Sequence, residues 1–221
     1  MARSPAVPYV APYAVFLAVL ALGTVWPLTG VADQLTRIAM VSAALWLVAR
    51  PALDFRVRDW AGSLLIGALI CGLWIAPDLV FPQYRHSWWF DNPVTGSVRS
   101  SLVEAERHDP LVLFLRTFRA TILVPIVEEL FWRGWLLRRI IAPDFRKVAL
   151  GSYSAGSFWA VAFLFAAQHG PYWDVGLAAG IVFNLWMIRT KSLGDLILAH
   201  AAANLCLSAY VIATGKWEYW L

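Results

Sequence analysis

Two adjacent acids, an arginine, two histidines and an amide stand where an apolar chain has most reason to exclude them. Glu128, Glu129 and Arg133 lie in RTFRATILVPIVEELFWRGWLLRR, His169 ends FWAVAFLFAAQH, and His200 and Asn204 lie in GDLILAHAAANLCLSAYVIA. An ionisable group at bilayer depth must be paired, line a wet cavity or do chemistry. Carboxylates, imidazoles and a carboxamide spread over three apolar segments are the groups that a membrane-embedded hydrolase needs.

Spacing divides the labour among them. Glu129 and Arg133 are i and i+4 on one helix, so they share a face and form an ion pair. Breaking such a pair in hydrocarbon is costly, which makes it structural. Glu128 points about 100° away, and its own i+4 neighbour, Trp132, cannot neutralise it. Held near an imidazole, such a carboxylate is suited to take a proton from water; a purely structural hydrogen bond is the alternative. His169 precedes the helix stop Gly170-Pro171, where it either caps the last carbonyls or faces a site. His200 and Asn204 are also i and i+4, with Ala201, Ala202 and Ala203 between them. They form either an oxyanion-stabilising pair or interhelical hydrogen bonds at a close helix approach. Gln168 is placed to orient His169, and Asp195 to cap the last span or favour its positive end.

The same residue types leave other readings open. Glu128, His169 and His200, with water as a fourth ligand, would equally suit a zinc hydrolase. A non-catalytic assembly or immunity protein would use these groups only to staple helices. GxSxG, HExxH and Walker patterns are absent from the sequence.

The elements that must carry these groups are membrane helices. The 221 residues are 60% hydrophobic and only 14% charged, with a mean hydropathy of +0.63. A soluble domain carries roughly 25% charged residues. The expected fold is all-α, a polytopic transmembrane bundle forming a single integral membrane domain over 1–221. The net charge of +4 sits in short junctions between apolar runs, which argues for topology and against nucleic acid. The partners expected are the lipid bilayer and a membrane-anchored peptide or protein. Cys71 and Cys206 read as two small hydrophobes rather than a disulfide.

Apolar stretches predict about seven spans, near 12–30, 35–50, 60–77, 111–137, 152–170, 173–189 and 193–213, with an eighth element left open. The first is read as retained, not cleaved. Three spans fill 1–77, and the 78–110 segment is a surface excursion with an interfacial amphipathic helix around 98–107. The catalytic spans fill 111–213. Trp88, Trp89 and Phe90 are placed to rest in the interface. The 138–147 junction has a net charge of +3 and the 50–59 junction +1, whereas 78–109 has −2. A cytoplasmic N-terminus puts every basic junction on one side.

The three motifs together resemble the CPBP family of intramembrane proteases, which includes the type II CAAX prenyl endopeptidases. Glu128-Glu129-Leu130-Phe131-Trp132-Arg133 fits EExxxR, Phe165 to His169 fits FxxxH, and His200 to Asn204 fits HxxxN. VPIVEE is also similar to the exosortase-associated branch of CAAX-protease-related proteins. The resemblance spans roughly 111 to 213. It implies that Glu128 and His169 activate water, that His200 and Asn204 stabilise the oxyanion, and that Glu129 and Arg133 hold the site together. It further implies a bacterial inner-membrane, multi-pass protease without a cofactor.

Counting along the helices raises one conflict. Glu128 lies about 15 Å from Arg138 and His200 about 14 Å from Lys191, but His169 lies about 26 Å from Ser152. For these groups to meet, the fifth span must start later, near Gly156, or tilt. The depth of Glu128 predicts a cavity open toward the cytoplasmic half.

Overall fold

The computed structural model describes residues 4–220, and all regular structure among them is helical apart from one bridge, Asn92–Gly96. The helices are α1 (Val7–Val25), α2 (Gly30–Ala44), α3 (Trp60–Val80), α4 (Pro110–Phe118), α5 (Val124–Glu129), α6 (Leu137–Ile141), α7 (Ala155–Ala167), α8 (Trp173–Thr190) and α9 (Leu193–Thr214). π-helical turns at Arg119–Leu123 and Leu130–Leu136 fuse α4, α5 and α6 into one rod, and α2 continues to Ala52. Gly30–Ala52, Trp60–Val80, Pro110–Ile141 and Leu193–Thr214 are long and apolar enough to cross a membrane. Val7–Gly23 and Ala155–Ala167 are shorter apolar helices.

Polarity is inverted relative to a water-soluble fold. Leu65, Phe114, Phe163, Leu185 and Leu205 are exposed on the outside, whereas Glu129 and Arg133 are fully buried. Lipid is the solvent that this arrangement suits, because intrahelical bonds satisfy the backbone and apolar side chains face the tails. The chain is a multi-pass integral membrane protein.

Contacts between connections define two ends. At one, Ser192 Oγ donates to the Arg56 carbonyl, and Arg58 Nη1 donates to the Thr190 carbonyl. Tyr9 of α1 packs on Phe145 at this end too. At the other, Ser101 N donates to the Trp220 carbonyl, and Trp173 Nε1 donates to the Trp89 carbonyl. The basic junctions therefore share one end with the start of α1, and the acidic-leaning excursion occupies the opposite end.

Several boundaries differ from expectation. α1 begins at Val7, not 12, and runs through Pro12. Proline is tolerated there because membrane helices re-satisfy freed backbone groups from their surroundings. The second rod begins at Gly30 rather than 35, and within it Arg37 pairs with Asp33 at 2.7 Å. The excursion narrows to 81–109, and the amphipathic helix expected at 98–107 is absent. Only the short 3-10 segment Glu104–His108 forms there. Its charges have specific partners, Arg107 on Glu104 and Glu106 on the backbone N–H groups of Val103 and, across to α2, Gly30. Trp88 and Trp89 are exposed as expected, but Phe90 is buried, stacked on Trp173 and under the Arg85 guanidinium.

The α3–α9 packing positions the site most directly. A Cβ on Gly67 would fall 2.5 Å from Ala202 Cβ and 2.6 Å from the Ala199 carbonyl oxygen. The small residues around His200 therefore admit α3 at backbone distance. Asp195 holds the basic end of α9. Its carboxylate accepts from the backbone N–H groups of Arg58 and Asp59, each at 2.8 Å, while Ser192 is the side chain that caps the helix.

Candidate active site

The rod that carries Glu128 and Glu129 is wound differently on either side of them. α5 is a short α-helical piece between two π turns, each of which adds a residue per turn and re-aims the side chains that follow. Pro125 explains the first turn. In the π register, N–H of residue 125 would serve the Ala120 carbonyl, and proline has no N–H to give. Asn204 Nδ2 fills that vacancy from α9, donating to Ala120 O at 2.8 Å.

Glu129 and Arg133 form the expected pair, with Nη1 3.1 Å from Oε1 and both side chains wholly buried. Sequence gave no sign of the remaining partners. Arg133 Nε donates to Asn184 Oδ1 at 3.0 Å, and Nη2 donates to the Gly180 carbonyl. Phe165 lies 4.5 Å beneath the guanidinium carbon. Glu129 also accepts from His200, whose Nδ1 is 2.9 Å from Oε1. A charge pair stabilises a buried site only when its remaining polar atoms are satisfied, and here each guanidinium nitrogen and both carboxylate oxygens have a partner.

Glu128 has a separate neighbourhood. Gln168 Nε2 donates to its Oε2 at 3.2 Å, and Tyr13 of α1 donates its hydroxyl to Gln168 Oε1. Gln168 therefore orients Glu128, not the adjacent His169. His169 instead turns its Nδ1 to the Phe165 carbonyl at 2.6 Å and packs edge-on to Trp74. A carbonyl only accepts, so Nδ1 carries the proton and the Nε2 lone pair is free for other use.

Glu128, His169, His200 and Asn204 all line one cavity of about 130 Å³, together with Trp74, Phe165 and Phe183. Cys71 joins the lining as an uncrosslinked thiol. Helix ends at Ile141 and Ala155 bring Glu128 and His169 level, whereas His200 stays about 11 Å from Leu193 at the start of α9. About 20 Å of helix then separates Glu128 from the first end, and about 21 Å separates His169 from the second. Trp74, Asn204 and Leu207 lie in the halves of α3 and α9 nearest the excursion.

The roof at that end is a charge clamp. Arg85, only 4% exposed, pairs with Asp78 at 3.0 Å and with Asp174 at 2.7 Å, and donates to the Pro171 carbonyl. Burial works against its charge, but Asp174 and then Asp78 outweigh burial and raise its pKa. Among the described residues, no group of three or more His, Cys, Asp or Glu side chains is arranged to hold a metal ion. Glu128, His169 and His200 share a cavity without converging as a zinc triad.

No curated protein and no solved structure matches the chain. Residues 110–206, which carry every group named at the site except those from α1 and α3, the excursion's Arg85 and Leu207, match the family model described as Type II CAAX prenyl endopeptidase Rce1-like, and on that match the chain is classed as a hydrolase of the protease type.

Proposed function

We propose that this cavity is the active site of an intramembrane endopeptidase that cleaves a peptide bond of a membrane-anchored protein or peptide, in a bacterial inner membrane with the N-terminus cytoplasmic. The observation that carries the reading is the meeting of Glu128, His169, His200 and Asn204, from three separate rods, around one cavity.

Proton accounting assigns the roles. Glu128, Glu129, Arg133 and His200 are charge-neutral as a group in two ways. Either Glu128 is protonated and His200 neutral, or Glu128 is ionised and His200 doubly protonated. A neutral His200 that gives its Nδ1 proton to Glu129 has only a lone pair on Nε2 and cannot donate to an oxyanion. The second arrangement creates a base and an oxyanion donor together, so it is the reactive one. Moving a proton between the two groups leaves the net charge of the buried cluster unchanged.

In that form a water held by His169 Nε2 gives a proton to Glu128 as its oxygen attacks the scissile carbonyl. His200 Nε2–H and the second Nδ2 hydrogen of Asn204 stabilise the oxyanion. Collapse of the tetrahedral intermediate breaks the C–N bond, and Glu128 returns its proton to the departing amine. Glu129 and Arg133 remain a fixed electrostatic frame throughout.

The test is cleavage by purified protein in proteoliposomes, using membrane-anchored peptides and mass spectrometry of the products after exhaustive chelation. Cleavage that persists without metal supports the glutamate–histidine reading. Activity lost on chelation and restored by zinc would move the assignment to a metal hydrolase that uses the same residues.

A further inference from the structure

A second cavity, of about 460 Å³, lies at the excursion end among α1, α2, α4 and residues 101–106, and shares no lining residue with the cavity around Glu128. Its lining brings together Asp33, Arg37, Glu106, Arg116 and Arg119, three guanidinium groups against two carboxylates. Both acids are already engaged. Asp33 pairs with Arg37 at 2.7 Å, and Glu106 accepts from the backbone N–H groups of Gly30 and Val103. Arg119 is 9% exposed, its buried Nε has no hydrogen-bond partner, and it makes no ion pair among the described residues. Gln34, 2% exposed, leaves its Oε1 equally unmet. Buried polar atoms without partners are costly, and the cost is removed when a ligand supplies the missing group.

The chain makes room for this cluster. Gly23 of α1 lies against the Arg37 guanidinium, where a Cβ would stand 2.5 Å from Nη2. From the same place an apolar groove runs between α1 and α2, lined by Val19, Leu22, Trp26, Leu28 and Met40. The groove shares Gly23, Leu28, Asp33 and Arg37 with the polar cavity, so the two are continuous. Leu22, Trp26 and Met40 are exposed on the lipid-facing surface.

We propose that this is a binding site for an anionic glycerophospholipid. The phosphodiester sits against Arg37 and Arg119, a headgroup hydroxyl donates to Gln34 Oε1, and one acyl chain lies along the α1–α2 groove. Guanidinium is the side chain best shaped for phosphate oxygens, and the phosphodiester supplies the acceptor that Arg119 Nε lacks. A soluble anion would use the cationic part alone and have no use for the groove.

Delipidated protein in detergent is titrated with phosphatidylglycerol, with diacylglycerol of the same chains and with glycerol 3-phosphate, read by native mass spectrometry and by thermal shift. Phosphatidylglycerol binds and raises the unfolding temperature, and diacylglycerol does not. Arg119→Gln weakens phosphatidylglycerol binding roughly tenfold, the loss of one charge-assisted hydrogen bond. Gly23→Ala, which displaces the Arg37 guanidinium, weakens it as well, so the test stands even where one variant folds poorly. Met40→Trp, which fills the groove, weakens phosphatidylglycerol but not glycerol 3-phosphate. Diacylglycerol binding as tightly as phosphatidylglycerol, or Arg119→Gln and Gly23→Ala both binding it like the unaltered protein, would overturn the site. Glycerol 3-phosphate binding as tightly as the lipid, with no effect of Met40→Trp, would overturn the lipid and leave a soluble anion.

Discussion

His200 Nδ1 stands 2.9 Å from Glu129 Oε1, and this contact determines which ring nitrogen faces the cavity. Glu129 is thereby shared between Arg133 and His200, so the ion pair legible in the sequence also orients the site. Arg133→Met should leave Glu129 buried and without its guanidinium, costing about 3–5 kcal/mol of stability. Adding Glu129→Gln should recover much of that stability, because no buried charge remains unpaired. It should not recover cleavage, because His200 then lacks the carboxylate that supports its second proton. Thermal unfolding and peptide cleavage on the single and double variants separate the two effects; cleavage recovering together with stability would show that Glu129 is only a strut.

Pro125 and Asn204 should be coupled through the Ala120 carbonyl. Asn204→Ala strands that buried acceptor at a cost of about 1–3 kcal/mol. Pro125→Ala supplies a backbone N–H that can serve it, so the double variant should regain most of the lost stability. A double-mutant cycle measured by unfolding checks the coupling. Strict additivity would contradict the explanation of the π turn at Arg119–Leu123.

Tyr13 and Gln168 form a relay that orients Glu128. Tyr13→Phe removes one hydroxyl and Gln168→Leu removes the amide. Both should lower kcat by about tenfold or more, as expected when a general base is left poorly positioned. KM should change little, because neither residue lines the cavity. A change in KM with kcat intact would place these residues in substrate binding.

Gly67→Ala forces a methyl into the α3–α9 contact, where the nearest obstacles include the Ala199 backbone. Such overpacking costs about 1–3 kcal/mol. Because α9 carries both His200 and Asn204, activity should fall further than stability alone explains. Stability unchanged within error would mean that the helices part without penalty.

The polar groups of the site could be read from sequence because each violates the rule that apolar spans exclude charge. The EExxxR, FxxxH and HxxxN spacings carried most of the rest. Partners that break no such rule stayed hidden. Tyr13 sits in a helix distant in sequence, and Asn184 is a lone uncharged amide in an otherwise apolar span. Both act through contacts that only packing creates. Helix ends were legible to within a few residues where Gly-Pro or an acidic cap marks them. They failed at Val7 and Gly30, because α1 runs through Pro12 and the start of α2 carries an Arg37–Asp33 pair inside the helix. The expected 98–107 helix failed because its charges find partners within the segment and at Gly30 of α2, and need no helical face.

Cleavage of a membrane-anchored peptide by purified Glu128→Gln protein, set beside the unaltered protein, tests the role of this carboxylate most directly. Glutamine keeps the shape and accepts the hydrogen bond from Gln168, but it cannot take a proton from water. The variant should unfold at nearly the same temperature and release no product. Product formed at the unaltered rate would contradict general-base catalysis by Glu128.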